Sequence, residues 1–153
     1  LEINTTRDIA HQIVRHRSFS FQEFSQRYAN PTEMGDMFEY SEARLQDTKN
    51  RQNSIKTDSV EVQIFWEESQ REVIGLAEKE YKKAIKMGIA KEVARKILPE
   101  GLTKTRLYMN GTLRSWVHYI DLRSANGTQK EHMEIAKACA EVITKIFPRI
   151  DSQ

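Results

Sequence analysis

Residues 59–87 carry the strongest periodic pattern in this chain and set the terms on which it can fold. Val62, Phe65, Val73, Leu76, Ala77, Tyr81 and Ala84 recur at helical spacing and form an apolar stripe. Ser59 supplies an N-cap and Gly88 a stop, so one long helix is predicted between them. Such a stripe must be buried, against either this chain's own core or a second subunit. Lys79, Lys82, Lys83 and Lys86, interleaved with Glu78 and Glu80, read as the solvated face of the same helix.

The flanking segments supply the rest of an α+β domain. Ile9, Ala10, Ile13 and Val14 predict a helix over residues 6–15, capped by Thr5 or Thr6, with Asp8 in its first turn and Arg15 delivered to its end. Ser20 and Glu23 have capping-box spacing, which predicts a short helix over residues 22–28. Residues 29–58 are polar, contain Pro31 and Gly35, and read as a long loop or insertion with a helical turn near residues 41–45. A helix over residues 90–98 ends before Pro99, and residues 103–109 alternate as a strand. Helical spacing returns over residues 113–122. After the Asn126-Gly127 turn, a last helix aligns Ile135, Ala138, Cys139, Val142, Ile143 and Ile146 and stops at Pro148. No internal repeat is present, and 153 residues suit a single domain over residues 1–153.

Composition narrows the function classes. A net charge of +2 argues against wholesale nucleic-acid binding, which requires many neutralised phosphates. No apolar run is long enough for a bilayer, and residues 1–12 lack the pattern of a secretory signal, so no membrane partner and a cytoplasmic location are expected. One cysteine, Cys139, excludes an internal disulfide and a multi-cysteine metal site. Glu131, His132 and Glu134 lack the partners and spacing of a known metal site, so no metal is predicted.

The basicity is local. Residues 12–28 hold Arg15, His16, Arg17 and Arg27 among four aromatic side chains. Guanidinium groups crowded in this way repel one another unless anions separate them, and their planar donor forks match phosphate oxygens. A solvated basic helix end would produce the same tripeptide, since cations are stabilised at a helix C-terminus. Cys139 lies between alanines on the apolar stripe of the last helix, where a small buried hydrophobe is favoured over an activated nucleophile.

Gln12-x-x-Arg15-His16-Arg17, followed by Glu23-x-Ser25-x-Arg27-Tyr28, resembles the signature of the flavin-dependent thymidylate synthases, Arg-His-Arg, seven residues, Ser. Residues 91–99 and 113–123, the latter followed by Gln129 and Glu131, are similar to two further segments of that family in the same order. The resemblance implies a helix-rich α+β domain with a small antiparallel sheet, from which strands preceding Leu1 are missing. It also implies reductive methylation of dUMP to dTMP, with methylenetetrahydrofolate and NADPH as co-substrates, FAD as cofactor, and a homotetramer with shared active sites. On that resemblance Gln12, Arg15, Glu23, Ser25, Gln26, Arg27, Arg95 and Arg123 line the dUMP site. Arg15, His16, Arg17, Glu23, Thr112, Arg114 and His118 hold the flavin, and Arg123 is the catalytic residue set against the pyrimidine. Thr112 stands where an asparagine is frequent in the family, and Gly127 where several members carry a histidine. The alternative is a non-catalytic fragment or nucleotide-binding module that keeps the anion cluster.

Overall fold

The computed structural model describes residues 1–27 and 36–148. The elements run β1 (Glu2–Thr6), α1 (Arg7–Ile13), β2 (Ser20–Glu23), β3 (Arg44–Gln46), β4 (Ser54–Lys56), α2 (Val60–Lys86), α3 (Lys91–Ala94), a 3-10 turn (Arg95–Ile97), β5 (Lys104–Asn110), α4 (Leu113–Ser124) and α5 (Lys130–Ile146). β5 is the centre of a three-stranded antiparallel sheet, flanked by β1 and β2. Its alternation places Thr105, Leu107 and Met109 inward, where Leu107 and Met109 join Ile3, Ile9, Ile13, Trp116, Tyr119, Ala136, Cys139 and Ile143 in the main core. Burying each large apolar side chain contributes roughly 1.5–3 kcal/mol, so this cluster fixes α1, α4 and α5 against the sheet.

Both outer strands depart from the sequence reading. No strand is predicted at the start of the chain, yet Glu2 to Thr6 pair with Tyr108 to Lys104 in register. The capping-box reading of Ser20 and Glu23 is incorrect: Ser20, Phe21, Gln22 and Glu23 alternate out and in as β2, in register with Asn110 to Leu107. Period two wins because Phe21 packs against the core and Glu23 has a tertiary partner. The Glu23 carboxylate accepts from Thr105 Oγ1 at 2.8 Å and from Arg7 at 3.3 Å. The end of the predicted helix at Tyr28 lies outside the described residues.

The long helix forms with the predicted ends. Ser59 Oγ accepts from the Val62 amide at 3.4 Å, and beyond the last turn Gly88 takes a φ of +82°, a conformation that favours glycine. Its buried face is Gln70, Ile74, Ala77 and Tyr81, of which the last three pack with Met37, Phe38 and Ala94 in a second core. Only the lower part of the predicted stripe is therefore internal: Phe65 is 67% exposed and Leu76 63% exposed. Gln70 faces inward despite its polarity because its amide is matched to Ser41. Its Oε1 accepts from the Ser41 amide at 2.7 Å and its Nε2 donates to the Ser41 carbonyl at 3.1 Å.

Within the stretch read as irregular, β3 and β4 form an antiparallel hairpin in place of the expected helical turn. Arg44 closes it by donating Nε to Ser54 Oγ at 2.7 Å and Nη2 to the Ser54 carbonyl at 2.6 Å. Pro31 and Gly35 lie outside the described residues. The remaining helices and the strand before α4 fall close to their predicted bounds, and Gly127, with φ +94°, makes the turn between α4 and α5. Among the described residues no helix is long and apolar enough to cross a membrane.

Candidate functional site

α1 ends at Ile13, and the chain turns back through a His16 amide bond to the Ile13 carbonyl at 3.1 Å before entering β2. Six residues, 14–19, thus form a short arch carrying the Arg-His-Arg tripeptide. Phe19 anchors one foot of it: its ring stands edge-on to Trp116 at 4.9 Å and to Tyr119 at 5.9 Å. Gly111 allows this approach, since a Cβ built there would lie 2.5 Å from the Phe19 ring. Arg15 and Arg17 are exposed on the arch and make no ion pair among the described residues. Guanidinium groups without carboxylate partners keep their donor forks available to an anion.

His16 anchors the other foot. α4 is capped by Thr112, whose Oγ1 accepts from the Ser115 amide at 3.2 Å, and its inner face presents Trp116, Tyr119 and Arg123 at successive turns. Arg123 donates Nε to His16 Nε2 at 2.9 Å. Arginine is a donor only, so Nε2 is unprotonated and the proton of the neutral ring sits on Nδ1. Burial, the Arg123 cation and then His118 all push the His16 pKa below its ordinary 6.5. The tripeptide therefore carries two cations, not three. With Nε engaged, the terminal Nη groups of Arg123 have no partner among the described residues.

Behind this pair lies a polar cluster with a buried heart, Tyr119 and His132, a pairing that the sequence reading did not single out. Tyr119 and His132 are both completely buried, with Tyr119 OH and His132 Nε2 3.0 Å apart. His132 Nδ1 lies 3.3 Å from Gln12 Oε1, and Gln12 Nε2 donates to Gln129 Oε1 at 2.7 Å. Burial foremost, then the Arg123 cation and the neighbouring His16, lowers the His132 pKa to about 4. The signal available in the sequence was a histidine at the first inward position of an otherwise apolar helix face, completed by Ala136, Cys139 and Ile143. Periodicity cannot tell whether such a histidine is packing or polar scaffolding.

A second group forms around α3. Glu92 accepts from Arg27 Nη2 at 3.4 Å through its side chain and from Arg95 Nε at 3.4 Å through its carbonyl. Beside Arg27, Ser25 is exposed, while Gln26 is 2% exposed with an Nε2 that lacks an acceptor among the described residues. Arg114 and His118 are exposed on α4, and Glu23 is turned toward Arg7 and Thr105. The predicted site residues thus fall into an arch group (Gln12, Arg15, His16, Arg17, Arg123) and an α3 group (Arg27, Arg95), built on different elements. A cleft of about 430 Å³ between the β3–β4 hairpin and the start of α2 is lined by Arg44, Arg51, Trp66 and Gln129, but by none of the arch arginines.

Cys139 is 5% exposed, and burial pushes its thiol up to about 11, the reverse of what a nucleophilic thiolate requires. Among the described residues no group of three His, Cys, Asp or Glu side chains could hold a metal ion.

A helix-rich α+β domain with exposed arginines free of ion pairs around a neutral histidine, and with a buried thiol, is compatible with binding an anion. Comparison makes the assignment specific. The family model described as thymidylate synthase complementing protein matches residues 1–149, and the chain belongs to this family. It is 51% identical over 150 residues to a probable flavin-dependent thymidylate synthase of Paramecium bursaria Chlorella virus 1, spanning 98% of this chain and 68% of that protein. It is also 51% identical to the flavin-dependent thymidylate synthase of Synechocystis sp., spanning 98% of this chain and 67% of the relative. Among solved structures, the UMP/dUMP methylase PolB of Streptomyces cacaoi bound with 5-Br UMP superposes with a TM-score of 0.82 at 25% identity, over 94% of this chain and 67% of PolB.

Proposed function

We propose that this chain is a flavin-dependent thymidylate synthase that methylates dUMP to dTMP, taking the carbon from methylenetetrahydrofolate and reducing equivalents from NADPH. The observation that carries the reading is the Arg123–His16 pair at 2.9 Å, set beside two exposed arginines without ion pairs. The donor set fits a flavin dinucleotide: Arg15, Arg17 and Arg114 offer fixed positive charge to its diphosphate, with His16, His118 and Thr112 nearby on the arch and α4. Bound FAD supplies the redox chemistry that the side chains of this protein lack.

The residues then divide the remaining work. Gln12, Ser25, Gln26, Arg27 and Arg95 bind dUMP, Arg27 and Arg95 as phosphate-binding cations and the buried Gln26 amide as a donor awaiting an acceptor. Arg15 reaches both ligands, and Glu23 fixes the start of the nucleotide segment through Thr105 and Arg7. Arg123, held by His16 at Nε, directs its free Nη groups at the pyrimidine. A fixed cation in a water-poor site lowers the pKa of a neighbouring acid and stabilises negative charge developing on the ring. The ring carbon is thereby activated without a cysteine, which accords with the inert Cys139. Exposed Phe65, Val73 and Leu76 on α2 support a homotetramer in which each active site combines residues of several subunits, and the cytoplasm is its place in the same reading.

Turnover tests the reading. The purified chain, supplied with FAD, NADPH, methylenetetrahydrofolate and dUMP, should form dTMP detectable by chromatography. Arg123→Ala should retain FAD and form none. Absence of product from the parent chain would leave a nucleotide-binding module without catalysis.

A further inference from the structure

We propose that Tyr119 and His132 form a buried positioning bridge that fixes the Gln12 amide and the His16 ring for nucleotide binding. The bridge spans three elements: Tyr119 on α4, His132 on α5 and Gln12 on α1, closed by Gln129 at the start of α5. Tyr119 lies one turn before Arg123 on the same face, and its ring meets His16 edge-on at 4.9 Å. The His132 ring stands perpendicular to His16 at 6.2 Å. One pair of buried side chains therefore backs both the Arg123–His16 pair and Gln12.

Only one direction of hydrogen bonding satisfies every member. Tyr119 O–H is fully buried and has no other acceptor among the described residues, so it donates to His132 Nε2. His132 then carries its proton on Nδ1 and donates to Gln12 Oε1, which leaves Gln12 Nε2 to donate to Gln129 Oε1. Reversing the chain would strand the Tyr119 hydroxyl proton in the core, a costly arrangement. The orientation of the Gln12 amide is thus dictated from behind by a tyrosine and a histidine that touch no ligand. One N–H of Gln12 Nε2 stays uncommitted and faces an acceptor oxygen of the nucleotide, a role that rests on the dUMP site proposed above.

Position-specific isosteres separate positioning from packing. The amide of asparagine can reproduce the histidine Nδ1–H donor, whereas leucine fills the space without it. His132→Leu should weaken dUMP binding about tenfold by calorimetry, and His132→Asn should stay within about twofold of the parent. Simple core filling predicts the opposite order, with leucine better than the smaller, polar asparagine. Tyr119→Phe preserves the ring packing, and should weaken dUMP about threefold and alter the ring-nitrogen NMR shifts of His132 in the ligand-free protein. Should His132→Leu fail to fold, the Tyr119→Phe variant decides alone: parent affinity with unchanged shifts overturns the bridge. A Gln12→Ala control separates the two readings. If Gln12→Ala weakens dUMP while His132→Leu binds as the parent does, the bridge is overturned and the nucleotide site stands. If Gln12→Ala binds dUMP as the parent does, the assignment of Gln12 to that site falls, and the bridge's role falls with it.

Discussion

Arg123 and His16 lie 107 residues apart in the chain, and their side chains meet through one hydrogen bond of 2.9 Å from guanidinium Nε to imidazole Nε2. That contact settles two chemical states at once. It fixes the histidine as the neutral Nδ1–H form, and it turns the arginine so that its terminal nitrogens are left for a ligand. A residue assigned to the flavin by resemblance and one assigned to the pyrimidine are therefore a single mechanical unit.

Removing the arginine should be visible at the histidine. In Arg123→Ala the nearest cation holding the His16 pKa down is gone, while burial continues to depress it. An NMR titration should show a His16 pKa higher than in the parent, alongside loss of methyl transfer. An unchanged His16 titration would mean that the pair does not persist in solution.

Stability should fall on mild acidification. His132 and His16 are both depressed below 6.5 in the folded chain, His132 to about 4, whereas in the unfolded chain each takes up a proton near 6.5. Below that pH the unfolded state binds more protons, so their contribution is complete above pH 6.5 and is lost progressively down to about pH 4. Thermal midpoints should drop across this window, and the drop should shrink in His132→Asn. A flat profile would contradict the buried neutral state of His132.

Gly111 should tolerate no side chain. A Cβ there would sit 2.5 Å from the Phe19 ring, which is itself hemmed in by Phe21, Trp116 and Tyr119 and has little room to give. Gly111→Ala should cost about 1–3 kcal/mol in urea unfolding, as overpacking does, and should loosen the arch enough to weaken flavin binding.

Thr112 should matter first to the helix. Its hydroxyl caps α4, and Thr112→Ala should cost about 1 kcal/mol of stability, whereas Thr112→Asn, a comparable cap, should cost little. Equal stability of all three would show that the cap is dispensable.

The thiol should be irrelevant to catalysis. Cys139→Ala should keep dTMP formation while losing about 1 kcal/mol of stability for the vacated volume, measured side by side in activity and urea unfolding. Loss of turnover in a folded variant would restore a role for the cysteine.

Much of the fold was legible in local pattern. α2 announces itself by its Ser59 cap, its periodicity and Gly88, and α4 and α5 by periodicity, with the Asn126-Gly127 turn between them and Pro148 after α5; these are signals carried within a few residues. The outer strands were not. Ser20 to Glu23 fit a capping box as well as a strand, and the choice is made by Thr105 and Arg7, which no window around Glu23 contains. Gln70 does not belong to the apolar stripe read from the sequence, yet Ser41 satisfies its amide in the core. The same limit applies at the site. The arch arginines are visible as a cluster in sequence, but the Tyr119–His132 bridge joins residues more than a hundred positions from Gln12, and only the packing of α1, α4 and α5 brings them together.

If the arch and α4 hold a flavin beside dUMP, the visible spectrum of the flavin must respond to the nucleotide. The chain, purified with FAD and freed of excess cofactor, should be yellow, bleach on reduction with dithionite, and show a saturable change in its visible flavin band as dUMP is added. Arg123→Ala should keep the colour and lose or blunt the dUMP response. A colourless protein, or a flavin band indifferent to dUMP in the parent chain, would contradict the account.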